Sequence, residues 1–131
     1  MTTYTKTRTN VYSLNYHMVW VTNYRKEIFD TEMKQNALKQ IILSEASDHE
    51  INIQELEIMP DHVHLLFSIP PKLSISNVAR ILKGRSAYLY FQQFPETKSS
   101  LWGGHLWSGS YFVSSTGSVT LDIIKEYVQN Q

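Results

Sequence analysis

The stretch "INIQELEIMPDHVHLLFSIPP", residues 51–71, reads as two strand-forming runs, "INIQELEI" and "HVHLLFSI", joined by Met59-Pro60-Asp61. A connection that short between two β-rich runs predicts an antiparallel hairpin. Side chains alternate between faces along a strand, so Val63, Leu65, Phe67 and Ile69 form one face while His62, His64, Leu66 and Ser68 form the other. The apolar set is the core face. His62 and His64 therefore project side by side from the opposite face, which is expected to be open. Neutral imidazole is a common metal ligand, and an i, i+2 pair on a strand presents two nitrogens to one ion. A bare His-x-His can equally be two solvent-facing residues, and a third ligand has to come from elsewhere.

Outward from this hairpin, "VYSLNYHMVWVTNY" reads as a first strand ending near Tyr24. "DTEMKQNALKQIILSEASDHE" spaces Met33, Ala37, Ile41 and Ile42 at helical intervals, with Asp30 or Thr31 as N-cap. "SISNVARILKGRSAYLYFQQF" predicts a second helix capped near Ser74 or Ser76, carrying Val78, Ile81, Leu82, Leu89 and Tyr90 and followed by Pro95. In "LWGGHLWSGSYFVSST", glycines frame short aromatic strands, and "SVTLDIIKEYVQNQ" predicts a last helix from Ser118 with Asp122 in its first turn. The order βαββαβ predicts an α+β fold, a ferredoxin-like or RRM-like antiparallel sheet with helices on one face, followed by a C-terminal helix. No repeat or linker interrupts it, so residues 1–131 are expected to form a single domain.

Composition narrows the chemistry. The chain has no cysteine, which excludes disulfides, thiolate nucleophiles and cysteine-based metal sites, leaving His, carboxylate or amide oxygen as ligands. No apolar run approaches a membrane span, and "MTTYTKTRTN" lacks a signal-peptide hydrophobic region, so a soluble, cytoplasmic protein is expected. The formal net charge is +0, yet the charges segregate. Lys6, Arg8, Arg25 and Lys26 occur without an acid in residues 1–26, as do Lys72, Arg80, Lys83 and Arg85 in residues 62–95. Acids crowd into residues 27–61. If the acid-free segments fold together they supply a face for phosphates; a solvated basic surface is the competing reading.

"MPDHVHLL" resembles the signature of HUH (His, hydrophobic, His) single-strand nucleases, and within them that of the single-tyrosine transposases of minimal insertion sequences, the IS200-like family, with the related REP-associated tyrosine transposases. The likeness runs through "YHMVWVTNYRKEIF", "MPDHVHLLFSIPP", "LKGRSA", "LWGGHLWSGSYFV" and "IIKEYVQNQ", in that order. By that resemblance Tyr127 is the catalytic nucleophile, and His62, His64 and Gln131 hold a divalent metal ion, Mg2+ or Mn2+. The i, i+4 spacing of Tyr127 and Gln131 puts both on one helix face. The resemblance also implies a homodimer with active sites shared between subunits, acting on single-stranded DNA with hairpin ends through a 5′-phosphotyrosine intermediate.

Lys6, Arg8, Arg25, Lys26, Arg80, Lys83 and Arg85 are the expected DNA-binding residues. Asp61 is placed to orient an imidazole, or simply to make a turn. Trp102, Trp107 and Tyr111 could stack on unpaired bases or pack internally. His17, His49 and His105 lack ligand spacing and read as structural. The alternative function is an RRM-like or domesticated module that binds nucleic-acid hairpins without cutting them. A metal-dependent phosphodiesterase of small nucleotides is a third reading.

Overall fold

The computed structural model describes residues 15–115 and 121–131, with the backbone of two short flanking strands, β1 (Thr5–Lys6) and β2 (Val11–Tyr12). The Lys6 side chain, Arg8, the expected helix start at Ser118 and the Asp122 side chain lie outside the described residues.

Four strands form the main sheet: β3 (Tyr16–Val21), β4 (Asn52–Met59), β5 (His62–Ser68) and β6 (Phe112–Ser115). Their order is β4-β5-β3-β6, antiparallel throughout, which is the ferredoxin-like arrangement expected. Helices α1 (Glu32–Asp48) and α2 (Ile75–Gln93) pack on one face. Thr31 caps α1, its hydroxyl accepting from Lys34 N at 3.2 Å, and Ser74 caps α2 by accepting from Asn77 N at 3.1 Å. The core between sheet and helices contains Met18, Trp20, Val63, Leu65 and Phe67 against Leu38, Ile42, Val78 and Leu82. Alternation on β5 therefore holds.

Local differences from the sequence reading have identifiable causes. Met33 is 65% exposed, because α1 turns Leu38, Ile41, Ile42 and Ala46 inward instead. The first strand stops at Val21, and a 3-10 turn follows at Asn23–Arg25, where Tyr24 and Arg25 take left-handed φ values of 57° and 54°. Pro95 opens a short helix, α3 (Pro95–Ser99), and a second 3-10 turn occupies Trp102–Gly104. In the glycine-framed aromatic segment β6 forms, while Trp107 makes an isolated bridge to Thr22.

The larger correction concerns the second face of the sheet. It is partly covered: α4 (Leu121–Gln129) lays Ile124 and Val128 onto Val19 and Val21, with Phe112 and Tyr127 packed against them. Strand β3 is apolar on both faces, so leaving the second face bare would expose valines. The last helix removes them from water.

Candidate active site

The hairpin fixes the register. His64 lies opposite Val19 on one side and Glu57 on the other, and His62 lies opposite Val21 and Met59. A bulge sets the β4 side: Ile53 pairs with Phe67 but Glu55 with Leu66, which leaves Gln54 as the extra residue. Gln54 Nε2 donates to the buried Asn15 Oδ1 at 2.6 Å. The slip of one residue turns Glu55 and Glu57 onto the histidine face while returning Leu56 to the core.

Each histidine has a defined partner. His62 Nδ1 is 2.8 Å from Asp61 Oδ1, which leaves Nε2 facing away from the carboxylate. The other Asp61 oxygen accepts from Arg25 Nε at 3.4 Å, so Asp61 ties His62 to the turn after β3. His64 Nε2 lies 3.0 Å from His17 Nδ1, and the two rings stack with centroids 5.2 Å apart. One nitrogen donates and the other accepts, so the accepting ring is neutral when the contact forms. Burial pushes the His64 imidazole down from its ordinary value; His17 and His62 add to this, and Glu57 and Glu55 oppose it. Burial likewise lowers His17, with Glu55 opposing. A neutral imidazole is the form that binds metal.

His17, read from the sequence as structural, thus touches the signature histidine directly. The contact runs diagonally between strands, since His17 is paired with Leu66 and His64 with Val19. Only its position on the same alternating face as Val19 and Val21 hinted at this.

Tyr127 stands on the same sheet face. Its ring packs against Phe112 with centroids 5.7 Å apart, and Phe112 lies opposite Val19, which lies opposite His64. Phe112 and His64 are therefore two strand spacings apart, roughly 10 Å, with the Tyr127 ring against Phe112. The Tyr127 hydroxyl is 3.2 Å from Ser110 Oγ, which donates to Gln131 Oε1 at 2.9 Å, so the phenol is the donor to Ser110. Gln131 Nε2 in turn donates to the Tyr127 carbonyl at 3.2 Å. Tyr127 and Gln131 are brought together, as their spacing implies, but around Ser110 rather than the histidines. Burial pushes the Tyr127 phenol up, and its bond to Ser110 pulls it partly back.

Ser110 is itself held from the other side of the sheet. Lys83 Nζ on α2 donates to the carbonyls of Ser108 at 2.9 Å and Ser110 at 3.0 Å, and burial lowers its basicity. Other basic residues expected at DNA also have internal partners. Arg85 Nε pairs with Glu45 at 3.1 Å and its guanidinium lies over Tyr88. Lys26 Nζ donates to the Ser100 carbonyl at 2.8 Å, and Arg25 is on Asp61. Arg80 is exposed and lines a cavity of about 290 Å³ with Lys83, Gly84, Gly109 and Tyr111. Arg80 and Lys83 thus share one cavity, while Arg85 turns to Glu45 and Tyr88.

Among the described residues no group of three or more His, Cys, Asp or Glu could hold a metal ion, and no helix is long and apolar enough to cross a membrane. Two neutral imidazoles fit a divalent cation, and their third donor has to be something else, such as the Gln131 amide oxygen.

The fold is that of a DNA transposase. A crystal structure from Deinococcus radiodurans R1 superposes with a TM-score of 0.87 at 38% identity, covering 97% of each chain. The structure of a REP-associated tyrosine transposase bound to a REP hairpin shares the fold alone, with a TM-score of 0.57 at 14% identity over 95% of this chain and 67% of that one. Residues 10–131 match the family model described as "Transposase IS200 like", and the chain belongs to that family. The ISDra2 transposase TnpA of Deinococcus radiodurans is 37% identical over 96% of this chain and 89% of its own length. The transposase for insertion sequence element IS200 of Salmonella typhimurium is 32% identical over 92% and 78%, respectively. Membership makes the chain an enzyme of DNA transposition, one that cleaves and transfers strands.

Proposed function

We propose that the protein cleaves and rejoins single-stranded DNA beside a hairpin, with Tyr127 as nucleophile and His62, His64 and Gln131 as holders of one divalent cation, magnesium or manganese. The observation that carries this reading is that the only tyrosine on α4 and both signature histidines share one sheet face. When bound, the cation supplies Lewis-acid polarisation of a phosphate oxygen.

The chain's own residues do the rest. Asp61 holds the His62 ring through Nδ1, and His17 holds the His64 ring, which burial disfavours in its charged form. The phenol oxygen attacks phosphorus in line, forming a 5′-phosphotyrosine bond while the bond from phosphorus to the 3′ oxygen breaks. The phenol loses its proton and the departing 3′ oxygen gains one. Energy of the broken ester is retained in the new one, so the freed 3′-hydroxyl can reverse the step on another phosphotyrosine without ATP.

Attack requires Tyr127 to leave Ser110 and reach the histidines of its own chain, or to meet those of a second copy. We favour the second copy, because Ile124 and Val128 anchor α4 where it stands in its own chain. DNA is the partner, and the hairpin held by the REP-associated relative named above supports a hairpin as the form recognised.

The test is a labelled single strand incubated with protein and manganese, analysed by denaturing gel. A covalent adduct is expected with the wild type and none with Tyr127→Phe. Binding without any adduct would select the non-catalytic hairpin module, and an adduct surviving Tyr127→Phe would move the nucleophile elsewhere.

A further inference from the structure

We propose that Tyr24 and Trp102 form a stacking site for an unpaired DNA base next to the phosphate presented at His62 and His64. The inference builds on the reading of the protein as a single-strand transposase. It starts from an energetic oddity. Trp102 is 79% exposed and Tyr24 75% exposed, although Trp20 and Trp107 are buried. The two exposed rings lie edge to face with centroids 6.4 Å apart.

Their presentation is built. Tyr24 and Arg25 are consecutive non-glycine residues in the left-handed region, a conformation that costs free energy and persists only where neighbours enforce it. The enforcement comes from a clasp between the turn at residues 23–25 and the turn at residues 102–104. Asn23 Nδ2 donates to the Trp102 carbonyl at 3.4 Å, Asn23 N to the Leu106 carbonyl at 2.9 Å, and Lys26 Nζ to the Ser100 carbonyl at 2.8 Å. Gly103 and Gly104 follow with φ of 73° and 68°, which lets the second turn present the indole and reverse at once.

The same clasp is joined to the histidine site. Thr22 N donates to the Asp61 carbonyl at 2.9 Å, and the Asp61 carboxylate bridges Arg25 Nε, at 3.4 Å, and His62 Nδ1, at 2.8 Å. Asp61 thus ties the turn that carries Tyr24 to the His62 ring, and the proposed neighbourhood to the imidazoles rests on that link. Two cations belong to the clasped turns, Lys26 through its bond to Ser100 and Lys98 alongside Gly104, with Glu27 and Glu96 as the nearby acids in sequence. Every base has a π face, so aromatic stacking on such a platform is sequence-tolerant and selects unpaired over paired DNA.

Trp102 is the one tryptophan of the chain with an exposed ring, so its fluorescence reports occupancy. Titrating the full chain with single-stranded oligothymidylate should quench it, equally in wild type and Tyr127→Phe, and much less with a fully paired duplex. Trp102→Leu should weaken binding about tenfold to a hundredfold while leaving the dependence of log Kd on log salt unchanged, and Trp102→Phe should restore most of it. Tyr24→Asn separates site from fold: asparagine tolerates the left-handed region, so stability should hold or rise while binding falls.

Quenching by duplex as strong as by single strand, or undiminished single-strand binding by Trp102→Leu, overturns the proposal. So does weaker binding by Tyr24→Asn only in step with lost stability. A covalent adduct formed normally by Trp102→Leu would remove the stacking site and leave the transposase reading intact. Quenching without any adduct in the wild type would do the reverse.

Discussion

The two faces of the central sheet are made of different materials. On one, Met18, Trp20, Val63, Leu65 and Phe67 meet two long helices in a continuous core. On the other, a small apolar cluster under α4, of Val19, Val21, Ile124 and Val128, adjoins His17, His62, His64, Glu55 and Glu57. The first face supplies stability because its apolar area is fully removed from water. The second gives up such packing and keeps its imidazoles only half-buried. A period of two lets adjacent residues of β5 serve both ends: Val63 and Leu65 hold the fold while His62 and His64 face the proposed site.

The sharpest break between the faces is expected from Tyr127→Phe, which should abolish the covalent adduct while the melting temperature stays within a few degrees. Mixing Tyr127→Phe with His64→Ala, each inactive alone, should restore adduct to a sizeable fraction of wild type if two copies share each site. Continued absence of adduct in the mixture would confine the site to one chain.

Stability should divide in the opposite sense. Phe67→Ala on the core face should cost about 3–5 kcal/mol in urea unfolding, and Ile124→Ala under α4 about 2 kcal/mol, because the smaller cluster can collapse around the gap. Equal losses would show that α4 is as much a part of the core as α1 and α2.

Just below neutral pH, the pH effect should come from the histidine face. His17 and His64 are both held below the ordinary value of 6.5 by burial, so the unfolded chain takes up protons first as pH falls. Stability is then full above about pH 6.5 and is lost as pH drops below it toward the folded-state values. Thermal unfolding in metal-free buffer should show this decline, and His17→Gln should shrink it. A decline unchanged by His17→Gln would assign the proton uptake to other groups.

The smallest effect is expected from Ser110→Ala, which frees Tyr127 and Gln131 from their shared partner. Stability should change by about 0.5 kcal/mol or less at this exposed position, and adduct formation should quicken modestly. Slower adduct formation would mean that Ser110 orients the phenol for attack.

Much of this was readable before any coordinates. The alternation of Val63, Leu65 and Phe67 gave the core face of β5, Thr31 and Ser74 announced two helix starts, and His62 and His64 stood out by spacing. The Gln54 bulge was legible only in hindsight, as the step of three from Ile53 to Leu56 in an otherwise alternating run. The His17 contact was not legible, because a diagonal pair across strands depends on register between segments 47 residues apart. Nor were the partners of Lys26, Lys83 and Arg85: a basic side chain in the sequence says nothing of whether a carbonyl or carboxylate waits beside it.

The amino-acid order by itself determined the strand and helix periods, the ferredoxin-like succession of elements and the type of ligand atoms available, because these depend on near neighbours and on composition. Tertiary structure alone decided that α4 covers the second face, that Ser110 is the partner of the phenol, and that Tyr24 and Trp102 meet in the open. Those outcomes depend on which distant segments come into contact, and contacts of that range are set by packing the whole domain at once.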